Sequence, residues 1–439
     1  MLKSSLSLIV LQRVWQGLAG VFTLLVIGLT LSEEQQGWYY TFLSLSALYS
    51  LFEMGLTTAL IQVTAHMFVK MHWLPQGRVA GESSELFKSF FSKSVKVYLL
   101  LAIVFLLISL IVGFYIFSHK SSLTFKTSAW ILPWLFLVMI TALNMVTLPF
   151  LAVVEGGGGI AEVYKVKLLQ GVLGAIATWV VLSLGGWLWA TMMMPLFGIL
   201  TSIYWLVKKR IFLLKVINLN RRGACFNWSN EILPFQWRVG LNWISVFVMS
   251  QLATPILFYY QTPVIAGQIG LSLTIAHMLG IVAQSWIARR LPALSQAVAR
   301  KEWEILDLLF IRDFKSSLFV FVLGAVIAIA MHYGVSNTEY SSRMLPFWPF
   351  VGLLGFVFFY HINGAFASQL RSFKREPLVW VSLIGAVIIL PGVIYTAKKF
   401  SVNEVVLVML SAEALIVFPL SFLLWRKYNK KWRLATEKS

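Results

Sequence analysis

Three charged residues lie well inside long apolar stretches of the chain: Arg13, Glu53 and Glu413. A charge at the centre of a bilayer costs about 2.5–3.5 kcal/mol even on insertion scales, so each needs a partner, a watery cavity or a task. Arg13 and Glu53 fall at similar depth in successive stretches. Such a pair suits a gate or a phosphate site, and equally a helix–helix ion pair, because burying either charge alone is costly. Glu413 has no charged neighbour on its own helix, and His277 and His361 lie at similar depth. A carboxylate and an imidazole in a low dielectric can exchange a proton near neutral pH. Glu53, Glu413 and His277 are therefore the candidates for ion coupling. The plain alternative for Glu413 is a protonated side chain bonded to backbone or serine.

Polar side chains also repeat at helical spacing. Arg238, Asn242 and Ser245 recur at i, i+4 and i+7, and Gln12 and Gln16 at i, i+4, so each set can form one stripe. Arg13 and Arg238 would then be a cationic pair, and guanidinium forks suit phosphate oxygens. Ordinary snorkelling into the interface is the competing reading for Arg238. Gln284 follows His277 at i+7 and can line the same wall. Lys167 and Gln170 open an apolar stretch and could attract an anionic head group, with snorkelling again the alternative. Arg13, Gln16, Arg238, Asn242, Lys167 and Gln284 are the candidate substrate contacts. Asn144 and Asn363 read more simply as glue between helices. Glu155 is followed by Gly156-Gly157-Gly158-Gly159. No Lys-Ser/Thr follows as in a nucleotide-binding loop, so a flexible hinge or turn is the better reading.

The elements that must position these residues follow from composition. Of 439 residues, 59% are hydrophobic and 12% charged. Soluble domains run near ~45–50% and ~25%, so this is a polytopic membrane protein. A membrane span needs roughly 20 mostly apolar residues. Twelve stretches qualify, near 8–31, 38–62, 97–117, 129–154, 168–185, 186–207, 239–260, 268–288, 316–335, 344–368, 378–397 and 405–425. Gly185-Gly186 makes a tight hairpin between the fifth and sixth. The first stretch, interrupted by Gln12, Arg13 and Gln16, reads as an uncleaved span rather than a signal peptide. Trp38-Tyr39-Tyr40, Trp130, Trp134, Trp187, Trp189, Tyr259-Tyr260 and Trp425 sit at span ends, where amphipathic rings favour the interface. The segment Glu302 to Phe314 is amphipathic and is expected to lie on the inner membrane surface.

The net charge of +19 is explained by sidedness. Of 36 Lys and Arg, 31 fall on one side of the spans; only Lys120, Lys126, Arg343, Lys398 and Lys399 fall on the other. By the positive-inside rule both termini are cytoplasmic, and no nucleic-acid partner is needed. The single cysteine, Cys225, excludes an internal disulfide and thiol clusters, and nothing in the sequence calls for a metal or cofactor. The basic stretch 208–238 divides the chain into six-span halves, 1–207 and 239–425, with a basic tail at 426–439. An even number of spans gives both halves the same orientation, a known transporter plan. The fold expected is an all-α polytopic membrane protein, about twelve transmembrane helices in two pseudo-symmetric six-helix bundles around a central cavity.

The second span runs Gln36-Gly37-Trp38-Tyr39-Tyr40 through Glu53-Met54-Gly55-Leu56-Thr57-Thr58-Ala59-Leu60. The eighth runs Ala266-Gly267-Gln268 through Leu291-Pro292-Ala293-Leu294. Together these resemble the bacterial O-antigen and polysaccharide flippases of the multidrug/oligosaccharidyl-lipid/polysaccharide exporter superfamily. The resemblance implies a cationic central cavity between two bundles and an undecaprenyl-diphosphate-linked oligosaccharide as substrate. It also implies alternating access, the bacterial cytoplasmic (inner) membrane, and membrane lipids and polysaccharide-assembly proteins as partners. A drug or small-metabolite exporter of the same superfamily would favour an aromatic, acidic cavity. A polymerase or ligase acting on lipid-linked sugars would need acid/base or metal-binding residues on substantial loops. The outer loops are short, and the inner ones carry no Asp-x-Asp or His/Glu cluster. A non-transporting scaffold is the fourth reading.

Overall fold

The computed structural model describes residues 2–121, 128–216, 226–228, 232–373 and 375–437. Lys126, Arg221, Arg222, Cys225, Lys374 and Lys438, and the side chains of Lys3, Lys215 and Arg238, lie outside the described residues. Among the described residues, eleven helices are long and apolar enough to cross a membrane. A bent pair, Val239–Gln251 with Ala253–Tyr260, makes twelve if it counts as one span. The chain divides into two compact units, Met1–Trp243 and Ile244–Ser439.

In the N-terminal unit, α1 (Leu2–Thr30) packs along α7 (Ile160–Ser183), tied by Trp179 Nε1 donating to Thr23 Oγ1 at 2.9 Å. The second span is three pieces: α2 (Glu33–Ser46), α3 (Tyr49–Glu53) and α4 (Leu56–Met67). Its start is set by a capping box in which Ser32 and Gln35 satisfy each other's backbone N–H. Beyond α4 comes an antiparallel hairpin, β1 (Met71–Trp73) with β2 (Val79–Gly81), pairing Trp73 with Val79. Next are α5 (Ser84–Ser121), α6 (Ser128–Gly156), α7, α8 (Met193–Lys209), α9 (Ile211–Val216) and α10 (Leu233–Gln251), which belongs to this unit up to Trp243. Between α7 and α8 the chain turns at Gly185, φ +79°, and enters a 3-10 turn, Trp187–Met192. The expected tight hairpin is present.

One expectation in this unit is corrected. Trp38, Trp130 and Trp134 are fully buried rather than spread on an interface. They pack with Phe42 and Phe117; the Trp38 and Phe117 rings are stacked 5.4 Å apart, and Phe42 meets Trp134 edge-on at 5.1 Å. Lipid gives these rings no better partner than their own kind, so close packing decides their place. The glycine run at 156–159, expected to be a flexible hinge or turn, is a turn. Trp73 Nε1 donates to Gly157 O at 2.9 Å, and a Cβ on Gly157 would lie 2.6 Å from that indole nitrogen. Arg210 covers the other face of this corner. Its guanidinium lies 4.6 Å from the Trp73 ring centroid and pairs with Glu162, which also accepts from Trp205 Nε1 at 2.6 Å.

In the C-terminal unit, α11 (Ala253–Tyr260) is followed by α12 (Pro263–Ala288), whose start is capped by Thr262 with Pro263 in the first turn. Then come α13 (Leu291–Ala299), α14 (Trp303–Gly334), α15 (Phe347–Arg371), α16 (Val379–Lys399), α17 (Val402–Ala412) and α18 (Phe418–Glu437). A π turn, Glu413–Val417, joins the last two into one span. The core lies where α12 and α15 pack together and against α14 and α17. The segment Glu302 to Phe314 is not a separate surface helix. From Trp303 it is the first third of the continuous 32-residue α14, because no breaker separates it from the apolar run that follows. Asp307 on this stretch holds Arg433 of α18 through both guanidinium nitrogens, at 2.5 and 2.6 Å.

Candidate functional site

Glu413 is the most enclosed of the three intramembrane charges, with no exposed surface. It begins the π turn between α17 and α18 and faces α15. Its Oε1 accepts from Asn363 Nδ2 at 2.6 Å. Among the described residues neither Glu413 Oε2 nor Asn363 Oδ1 has a hydrogen-bond partner, although both are buried. Two unpaired buried acceptors on a bonded acid–amide pair are costly. The expected histidine partners are corrected. His361 is buried on the other side of α15, 2.8 Å from Ser317 Oγ. His277 is half-buried and makes no ion pair with Glu413. Depth along the helices placed all three together, but His361 is bonded to Ser317 instead. Asn363 is the residue that sequence reasoning passed over as packing glue.

Glu53 caps a break in the second span. The chain turns left-handed at Met54, φ +48°, and Gly55, φ +72°. The carboxylate then takes the backbone N–H of Gly55 at 2.9 Å and of Thr57 at 2.5 Å, where α4 begins. Free N–H groups and the positive end of the helix both favour an anion there. Tyr98 of α5 donates its hydroxyl to the same carboxylate at 3.0 Å. The break is braced from α10. Gln236 Nε2 donates to Met54 O at 2.5 Å, and a Cβ on Gly55 would fall 2.7 Å from Trp243 Nε1. Among the described residues neither Glu53 nor Arg13 enters an ion pair, so of the two readings of this pair the helix–helix ion pair is absent.

Arg13 and Gln16 are exposed on α1, whereas Gln12, one turn before Gln16, is buried. Asn242 is half-buried on α10, one residue before Trp243. Lys167 is not a free cation for a head group. It binds Glu155 at 2.8 Å and lies 4.8 Å from the Tyr164 ring centroid. Neighbouring Gln170 reaches α8 instead, donating to Gly198 O at 3.1 Å and Ser202 Oγ at 2.9 Å. Gln284 donates to Ser368 Oγ at 3.2 Å across α12 and α15, and its buried Oε1 is left unpaired.

No family model matches the sequence, and no curated protein matches it. Solved structures do. An inward-facing multidrug resistance MATE family transporter of the MOP superfamily aligns at TM-score 0.67 and 15% identity, over 96% of this chain and 95% of that one. The lipid II flippase MurJ, in an inward closed conformation, aligns at TM-score 0.67 and 13% identity, over 94% and 87%. A MOP superfamily transporter from Pyrococcus furiosus, described as having a binding pocket of reverse polarity, aligns at TM-score 0.51 and 13% identity, over 97% and 93%. The chain therefore has the fold of MOP-superfamily transporters. A shared fold does not by itself assign an activity, which has to be argued from particular residues.

Proposed function

We propose that the chain is a flippase that carries an undecaprenyl-diphosphate-linked oligosaccharide across the bacterial cytoplasmic membrane by alternating access, driven by an ion gradient. The observation that carries the reading is Arg13. It is an exposed guanidinium inside the first span with no ion-pair partner among the described residues, on a fold shared with a lipid II flippase. A diphosphate answers that charge, and Arg238, Gln16, Asn242 and Gln284 are the proposed further contacts. The fold alone favours a drug exporter equally, since the MATE transporter aligns at the same TM-score. The intramembrane cation tips the balance, because a cationic drug would be repelled by it. Ion coupling is assigned to Glu413 with Asn363; Glu53 is proposed as the brace of the second span, and His277 keeps no part in the pair.

Reconstituted liposomes with a fluorescent undecaprenyl-diphosphate oligosaccharide test the reading by head-group accessibility over time. Wild type should accelerate flipping, and Arg13→Ala should lower the rate by about tenfold or more, the loss of one charge-assisted phosphate contact. No acceleration with several glycans, alongside efflux of cationic amphiphiles, would replace the flippase with the drug exporter. Growth of a polymer in the same liposomes would point to the polymerase.

A further inference from the structure

At one end of the C-terminal unit three arginines gather on one buried carboxylate. Asp313 of α14 is 2% exposed. Its Oδ1 accepts from Arg289 Nη2 at 3.0 Å and its Oδ2 from Arg290 Nε at 2.7 Å, while Arg312 Nε stands 3.9 Å away. One negative charge thus orients three positive ones, and the cluster keeps an excess of two. Arg289 and Arg312 are each 55% exposed, so most of their N–H donors face outward. Arg289 also lies 6.0 Å from the Trp286 ring centroid.

Depth and surroundings say what those donors meet. Arg312 lies 22 residues from Gly334 at the far end of α14, or about 33 Å at ~1.5 Å per residue. That is roughly one hydrocarbon thickness, which sets the arginines at a head-group level. Below them the outward sides of both helices are apolar and uncovered: Ile281 and Val282 on α12, Phe319, Val322 and Val326 on α14. An acyl chain fits that surface and a phosphate fits the guanidiniums above it.

We propose that this face of α12 and α14 binds an anionic phospholipid, with Arg289 and Arg312 contacting its phosphate and Asp313 acting as the positioning residue. The proposal does not depend on which substrate the protein moves. Native mass spectrometry of the full-length protein, titrated with phosphatidylglycerol, phosphatidylethanolamine or inorganic phosphate, tests it. Phosphatidylglycerol should be retained over phosphatidylethanolamine, and Arg289→Gln with Arg312→Gln should reduce that preference by about tenfold. Arg290 keeps its bond to Asp313 in the double variant, and a glutamine at 289 still carries N–H donors, so the variant should fold, which its unfolding temperature checks. Lys398→Gln with Lys399→Gln, at the other end of the unit, should leave the preference unchanged. Asp313→Asn adds a positive charge to the cluster but removes the group that aims it, so it should weaken phosphatidylglycerol binding. Tighter binding by Asp313→Asn would mean unoriented charge attraction and overturn the proposal. So would equal retention of the two lipids, or displacement of phosphatidylglycerol by equimolar inorganic phosphate, which would indicate a free-anion site. Displacement by the polyprenyl diphosphate alone would reassign the face to a lipid-linked sugar and overturn it as well.

Discussion

At the scale of single residues the chemistry of this protein turns on unpaired acceptors. Glu413 and Asn363 make one hydrogen bond and leave one oxygen each without a donor. Glu413→Gln keeps an uncharged partner for Asn363, so the protein should fold and remain thermally stable in detergent. Under the proposed function, transport by that variant should no longer respond to an imposed proton gradient; an unchanged response would remove Glu413 from the proposed coupling step. Asn363→Leu is the opposite case. It leaves the carboxyl with no partner and should cost about 1–3 kcal/mol, read as a lowered unfolding temperature in detergent. Sequence brought Glu413 forward because a carboxylate in an apolar run is conspicuous. It did not bring Asn363 forward, because a neutral amide is not, and depth along a helix leaves the angle around it open.

The elements owe their departures from regularity to packing. A left-handed Met54–Gly55 turn inside an apolar span has no strong sequence cue, since Gly is frequent in membrane helices. What fixes it is the Glu53 cap on one side and Gln236 with Trp243 on the other. Gly55→Val should therefore destabilise by about 1–3 kcal/mol, through both the positive φ and the clash with the Trp243 indole. Thermal unfolding checks this, and a neutral result would mean α10 does not brace the break. At the hairpin, Trp73→Phe removes one bond to Gly157 and should cost about 0.5–1.5 kcal/mol, visible as faster amide exchange over residues 71–81. That hairpin went unread because two strands of three residues carry too little alternation to stand out. The buried tryptophans were misread for a related reason: a ring at a span end looks the same whether it faces lipid or a neighbouring ring.

For the whole molecule, the spans and their number were legible because twenty apolar residues leave few alternatives. The bent seventh span is the exception, 47° at Leu252, where neither length nor composition marks the angle. The charge asymmetry makes a prediction of sidedness. In a Cys225→Ser background, Ser336→Cys should react with an impermeant maleimide on intact cells, and Ser295→Cys only after permeabilisation. Both side chains are exposed, so the reverse pattern would invert the orientation. The short turn between α7 and α8 bears on how such a chain is made. With only Leu184 to Gly186 and one 3-10 turn between them, neither helix can settle in the bilayer long before the other. Gln170 would meet lipid alone if α7 went first, whereas its two acceptors on α8 arrive within the same hairpin. Biosynthesis should therefore release these two helices from the insertion machinery as a pair, already bonded to each other.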